Sequence, residues 1–393
     1  MAVLNLFQAT PPRLLRRRYL RGGGTYAEAV SGSPNGSKRA LEGDPPESWD
    51  QSKVTPVKSA DGEWVPVPIG FTASKAEGEQ EVDHGFVIYE GEVTAENPNA
   101  WTEEEAWQAS LDKNQFVWIP VENASERIYE ASGEGNPKKS RLWEFSSTGR
   151  SQITQGNGGG KREPGTLTSE NVDGFKNLKD YLGLQDYSRD TWYKELQVEF
   201  DTAMKSIEKY GGFFIGRYET GAINQATPVV SRMNTTISAQ SWFTMYLRLK
   251  NISSNENIQT SMIWGCLWDE TLQWLVDTGC KTYAEISSSA SWGNNYYATF
   301  KYKDTNGNEV TKSTNGSKKI PTGSTEYTKA NNIYDLAGNV CEWTFESNGL
   351  SSRVLRGGDY TLGNGFHQVY SRDMFVSYGS GRERGFRAYF YIK

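Results

Sequence analysis

Two acidic residues near the C-terminal end of this chain, Asp335 and Glu342, stand at a spacing that suits oxygen ligation. The loop Asp335…Gly338…Val340…Glu342 offers two carboxylates and two backbone carbonyls, a donor set that a hard cation such as Ca²⁺ takes. The same residues have a second use, in which the Asp caps a turn and the Glu pairs with a buried Arg. Other metal chemistry has little to work with. The sequence holds two His, His84 and His367, far apart and without a partner at ligand spacing, so the usual His-held zinc or iron site is not expected. There is no phosphate-cradling glycine loop, no Gly-x-Ser-x-Gly elbow and no His-Glu-x-x-His. Carboxylates are numerous enough for a glycosidase-like pair, but few besides Asp335 and Glu342 stand out by position.

A second group of residues has the chemistry of recognition rather than catalysis. Asp359–Arg384 carries Tyr360, Phe366, Tyr370, Phe375 and Tyr378 among Gly363, Gly365, Gly379 and Gly381. Aromatic rings give large contact area at low entropic cost, and glycines permit loop shapes, as in an antibody paratope. Arg382 and Arg384 can anchor acidic or aromatic partners. The candidate ligand-binding residues are Asp359, Thr361, Leu362, Asn364, Phe366, His367, Gln368, Phe375, Tyr378, Ser380, Arg382 and Arg384. The competing reading is a loop that packs its aromatics inward. No strict alternation runs from Thr361 to Gly381, which argues against a buried strand.

These residues need a frame. Trp192, Leu196, Phe200, Ala203, Met204 and Ile207 fall on one helical face, predicting a helix over Trp192–Tyr210. Asp190 or Thr191 would cap its start, and Gly211-Gly212 would stop it. A second helix is predicted from about Ser261 to Thr278, with Gly279 just past its end. Short strands are expected at Trp64–Ile69, Gly85–Tyr89, Gln115–Val121, Phe213–Glu219, Arg353–Arg356 and Phe386–Ile392. The prolines make the first of these an edge strand. Residues 122–190, Ser287–Asn295 and Asp304–Lys319 read as loops, the first as a long insertion. Regular structure is expected to begin near Trp64. Residues 1–60, with Arg13, Arg16, Arg17, Arg18 and Arg21 among Ser, Gly and Pro, read as an arm or attachment segment too polar to bury a core.

The bulk composition narrows the function classes. A formal charge of −6 argues against a dedicated nucleic-acid binder, which needs clustered base. The 40 Gly, 13 Trp, 21 Tyr and 16 Phe suit a turn-rich, aromatic-packed fold better than a helical bundle. No stretch is long and apolar enough to insert in a membrane, and no apolar run follows the N-terminal arginines as a secretory signal requires. Of the three Cys, Cys266 and Cys280 flank the second helix. Fourteen helical residues span about 21 Å, against the roughly 7 Å between Cα atoms that a disulfide tolerates. Free thiols are therefore expected.

The run Asn332-Ile-Tyr-Asp-Leu-Ala-Gly-Asn-Val-Cys-Glu-Trp343, then Arg353-Val-Leu-Arg-Gly-Gly358, then Gly385-Phe-Arg387 resembles the formylglycine-generating, sulfatase-modifying enzyme family. Gly212–Glu219 and Met262–Gly265 fit the same family. The resemblance spans roughly Trp64–Lys393. It implies an α+β domain of the C-type-lectin-like fold over residues 61–393, with two main helices, short strands and long loops. It also implies Ca²⁺ at Asp335, Gly338, Val340 and Glu342, as a structural cofactor. Tyr370 and Arg372 become scaffold, because the family carries an Arg near this point. Catalysis does not carry over. The formylglycine-generating members use paired cysteines near the C-terminus, whereas no Cys follows Cys341, which itself replaces a family Trp. The sulfoxide-synthase relatives need three His.

A second branch fits the terminal segment. The chain looks like the variable proteins of diversity-generating retroelements, phage tail-tip receptor-binding proteins among them, in which fixed flanks enclose a diversified segment, here about 359–384. That resemblance implies a non-enzymatic binding protein on a virion tail tip, or alternatively on a cell surface. Its expected partners are a bacterial cell-surface protein or glycan, a virion or other assembly held through the N-terminal arm, and other copies in a homotrimer. The alternatives are an enzyme of the same fold with an unrecognised site, and a virion decoration protein.

Overall fold

The computed structural model describes residues 43–124, 143–146, 149–152, 189–222, 229–235, 239–347, 352–363, 368–377 and 379–393. The chain divides into two units, Met1–Lys38 and Arg39–Lys393, and the first lies outside the described residues.

Regular structure begins earlier than the composition implied. Strand β1 (Val54–Lys58) pairs antiparallel with β2 (Trp64–Pro68), and Trp49 and Val54 are buried in the main core. The correction is physical: Ser, Gly and Pro dominate this stretch, but one Trp and one Val suffice to dock it. Pro56 and Pro66 face each other in this two-stranded ribbon, where missing ladder donors cost least.

The central layer is a six-stranded antiparallel sheet. It contains β3 (Phe71–Ala73), β4 (Val87–Glu90), β5 (Gln115–Pro120), β8 (Gly212–Gly216), β9 (Ile258–Met262) and β18 (Ala388–Ile392), in the order β3-β4-β5-β8-β18-β9. Its middle strands are apolar on both faces because both faces are covered. Phe390 of β18 lies 4.7 Å between ring centroids from Phe116 and from Phe214, binding three strands through one ring. Each such ring removed from water contributes about 1.5–3 kcal/mol.

Five helices are described: α1 (Glu103–Asp112), α2 (Arg189–Tyr210), α3 (Trp242–Leu249), α4 (Gly265–Asp277) and α5 (Tyr283–Ser288). The predicted helical face of α2 is buried, while Val198 on the opposite side is 64% exposed. The helix starts at Arg189, so Asp190 and Thr191 lie in its first turn rather than capping it. Gly211 ends it in the left-handed conformation, φ 80°. Helix α4 begins later than predicted, because Ser261 and Met262 belong to β9. Residues 265–275 of α4 are all buried, so its polar Asp269 must find charged partners inside the protein.

Strands β10 (Phe300–Lys303) and β11 (Glu309–Lys312) form a hairpin where a loop was expected. Within the long insertion the described residues include another hairpin, β6 (Trp143–Ser146) with β7 (Gly149–Gln152). Short β12 (Lys329–Ala330) and β13 (Ile333–Tyr334) pair just before the acidic loop.

A second sheet presents the C-terminal end. It comprises β14 (Cys341–Ser347), β15 (Ser352–Arg356), β16 (Asp373–Val376) and β17 (Arg384–Phe386), in the order β16-β15-β14-β17. Its register sets Glu342 opposite Arg356 on one side and Gly385 on the other. The three sequence signatures thus meet on adjacent strands. One residue, Arg387, separates β17 from β18, so the chain changes sheets there.

Candidate ligand-binding site

The acidic loop folds as a charged, closed core. Asp335, in the left-handed conformation at φ 57°, accepts from Thr322 Oγ1 (2.9 Å), Gly323 N–H (2.9 Å) and Thr328 Oγ1 (2.7 Å). Glu342 accepts from Arg387, at 2.6 Å from Nη2 and 3.0 Å from Nε. Arg387 also donates to the carbonyls of Gly216 (3.0 Å) and Tyr334 (2.9 Å). Each carboxylate oxygen therefore faces a protein donor, and the residues as arranged do not form an open cation cage. Of the two uses open to this loop, the geometry matches the turn cap and the buried ion pair. Gly338 (φ 78°) and Val340 contribute backbone: the Gly338 N–H donates to Gly357 O (2.8 Å) and the Val340 N–H to Glu219 (3.0 Å).

Glu219 completes this core and was not singled out from the sequence. It also accepts from Asn339 Nδ2 at 2.6 Å. Burial, then the charges of Asp335 and Glu342, push its carboxyl well above the usual range. Burial likewise pushes Glu342 up to about 7, against the pull of Arg387. Three buried carboxylates share one guanidinium, and holding a proton is the least costly way to relieve the excess charge. Among the described residues, one acidic group has ligand atoms close enough to hold a metal: Asp61, Glu63 and Asp83, remote in sequence from this loop. Asp61 already accepts from Ser59, Val82 and Asp83.

The terminal segment sorts its residues into two sets. The first ties it to the scaffold. Arg372 ion-pairs with Asp269 of α4 and, through Nε at 2.8 Å, with Glu346 of β14. Arg356 contacts the same two carboxylates, at 2.6 and 3.4 Å, closing a network of two cations and two anions. Val369 is buried; its N–H donates to Ser289 Oγ (3.0 Å) and its carbonyl accepts from Trp268 Nε1 (3.0 Å). Ser377 is buried, and its carbonyl accepts from the Trp242 N–H at 3.0 Å. Tyr370 packs half-buried against the core. The scaffold reading of Tyr370 and Arg372 therefore matches the geometry.

The second set faces outward. Thr361, Ser380 and Arg382 are exposed, as are Met374 and Phe375 in β16. A strand does occur within the segment, but at a sheet edge with two adjacent side chains exposed, so the missing alternation reflects solvent on both faces. The Arg384 guanidinium lies 3.8 Å from the Phe375 ring centroid, a stacked pair built from two predicted residues.

Not every predicted contact residue is placed outward. Asp359 is buried, and its Oδ1 accepts from the Thr361 N–H (2.7 Å) and Oγ1 (2.5 Å), so it shapes a turn instead of presenting a carboxylate. Leu362 is half-buried, and its carbonyl accepts from the Tyr296 N–H at 3.0 Å. Gln368 is half-buried, and its Oε1 accepts from Ser371 Oγ at 2.8 Å. Asn364, Phe366, His367 and Tyr378 lie outside the described residues. Aromatic and polar composition does not single out Met374, although thioethers also serve adaptable surfaces.

The thiols are poorly suited to chemistry. Cys266, Cys280 and Cys341 are free. Cys341 is buried with Sγ 3.2 Å from Glu383 O, and burial pushes its thiol well up; burial raises Cys280 too. A nucleophilic or redox-active cysteine needs the opposite shift.

Residues 274–390 match the family described as Sulfatase-modifying factor enzyme 1-like domain. This stretch covers the last turn of α4, the acidic loop and all of the terminal segment, and it agrees with the α+β, C-type-lectin-like architecture. Among solved structures, the chain is similar to variable protein 1 of Treponema denticola, at 15% identity and a TM-score of 0.31, over 46% of this chain and 84% of that one. It is also similar to CarF, at 16% identity and a TM-score of 0.31, over 46% of this chain and 87% of that one. No curated protein matches the chain.

Proposed function

We propose that this chain is a non-enzymatic ligand-binding protein whose terminal segment, 359–384, is the binding surface. The observation that carries the reading is the division of labour inside that segment. Val369, Ser377 and the Arg372 side chain are buried and bonded to α3, α4, β14 and the loop of Ser289. Met374, Phe375, Ser380 and Arg382, interleaved with them, are partly or fully open to solvent. Such a segment tolerates change at its outward positions without loss of the fold, which is what a diversified recognition surface requires. Phage attachment to a bacterial surface protein or glycan is the function we assign to it. The N-terminal segment would join the chain to a virion tail, with display on a cell surface as the alternative. Assembly as a homotrimer would raise weak single-site binding through avidity.

The enzyme alternative draws support from the family match, whose description is that of an enzyme-related domain. Against it stand the raised thiols and the His pair with no ligand spacing. Binding of the fluorescently labelled protein to a panel of bacterial strains separates the readings. Selective binding to some strains that the Phe375→Ala/Arg382→Ala variant loses at unchanged melting temperature supports a receptor-binding surface. Equal binding by both proteins removes the terminal segment from the account.

A further inference from the structure

Tyr297, 49% exposed, stands outside the terminal segment but against it. A Cβ placed on Gly363 would lie 2.5 Å from the Tyr297 ring, so the ring rests directly on the segment's backbone. The loop that carries it is held from several sides. Asn295 Oδ1 accepts from the N–H groups of Tyr297 (3.0 Å) and Ala298 (3.1 Å). Lys312 Nζ, on β11, donates to the carbonyls of Asn295 (2.7 Å) and Ala298 (2.9 Å). The adjacent Tyr296 N–H donates to Leu362 O. A large ring fixed in place and left half in solvent loses little entropy on binding, which is the property of an interface anchor.

From Tyr297 a run of contacts leads to the other exposed end. Leu362 joins Tyr296, Tyr360 lies within electrostatic reach of Glu383 and Arg382, and Arg384 stacks on Phe375. The polar groups along this run are turned inward or engaged: Asp359 by Thr361, Gln368 by Ser371, Glu383 by Arg384 at 3.5 Å. What remains outward among the described residues, besides the Ser380 hydroxyl, is aromatic, thioether and guanidinium. Aromatic rings also stack on sugar faces, but sugar hydroxyls call for carboxylate and amide partners, and Asp359, Gln368 and Glu383 are already engaged. Apolar side chains rimmed by an acid call for the groups found here.

We propose that Tyr297 is a fixed anchor of the binding surface and that the ligand is a protein, presenting an apolar patch with an acidic residue for Arg382. This rests on the binding role proposed above for the terminal segment. The test uses strains that the wild-type protein binds, either untreated, digested with proteinase, or oxidised with periodate to destroy glycans. Tyr297→Ala, with its melting temperature unchanged, is expected to weaken binding about tenfold or more, and Tyr297→Phe to retain it. Proteinase digestion is expected to abolish binding and periodate to spare it. Wild-type affinity in Tyr297→Ala, while Phe375→Ala/Arg382→Ala loses binding, overturns the anchor and leaves the binding role standing. Binding that survives proteinase and is lost on periodate overturns the protein ligand. Unchanged binding in all variants, or no wild-type binding to any strain, overturns both.

Discussion

Arg372, in the middle of the terminal segment, donates from Nε to Glu346 of β14 at 2.8 Å, where Glu346 is fully buried. Its guanidinium also meets Asp269, so one side chain ties the segment to a helix and a strand at once. Arg372→Met removes one of the two cations, Arg356 and Arg372, described against Asp269 and Glu346. The expected cost is about 3–5 kcal/mol in urea unfolding. Arg382→Ala, ten residues on and exposed, should stay within about 0.5 kcal/mol of wild type. Equal costs for the two would dissolve the distinction between scaffold and surface positions.

The Glu342–Arg387 pair makes a prediction about calcium. Because Arg387 occupies both Glu342 oxygens and Asp335 is met by three donors, added Ca²⁺ should leave the melting temperature unchanged, and chelator should not lower it. A Ca²⁺-dependent rise of several degrees would mean that the loop rearranges into a cation cage.

Glu219 gives the pH dependence its sign. Its folded carboxyl titrates well above the ordinary value because of burial and its acidic neighbours. The folded protein therefore keeps a proton that the unfolded chain releases at about pH 4.3. This contribution to stability is full below that pH and is lost as the pH rises toward the folded value. Glu219→Gln cannot ionise and keeps a carbonyl oxygen for one of its two donors, Val340 N–H on Oε1 or Asn339 Nδ2 on Oε2, at a cost that does not change with pH. Relative to wild type, the variant should therefore gain stability as the pH rises from about 4 to about 8. Thermal melts across that range are the check, and a variant that gains on wild type with acidification would contradict the account.

Gly338 tests the backbone of the same loop. Its φ is 78°, and a Cβ there would lie 2.3 Å from the Asn294 carbonyl oxygen. Gly338→Ala should cost about 2 kcal/mol or more in urea unfolding, combining left-handed strain with the forced shift of a backbone group. A neutral substitution would show that the Asn294 backbone moves freely.

Sequence patterns revealed parts of this fold whose physics is local. Helix α2 and much of α4 follow from helical spacing of large apolar residues, β5 and β8 from short apolar runs, and β18 from its alternating pattern. Other elements were missed for identifiable reasons. Helix α3 is buried on nearly every side, so no polar face marks its period, although Ser241 caps it. Helix α1 carries a capping box, Thr102 with Glu105, that was there to be read. The β10–β11 hairpin hides in polar residues, though Asn306-Gly307 lies at its turn and Phe300 and Tyr302 alternate with lysines. In the site, composition picked out Phe375, Arg382 and Arg384. The inward turn of Asp359 and the approach of Tyr297 depend on contacts no spacing encodes.

The most direct test of the central claim is the dissociation constant of labelled protein on the strain it binds best. Wild type would be compared with Phe375→Ala/Arg382→Ala and with Val198→Ala, a control on the exposed face of α2. The account predicts that the double variant loses about tenfold or more in affinity while the control matches wild type. Equal affinity for all three proteins would contradict it.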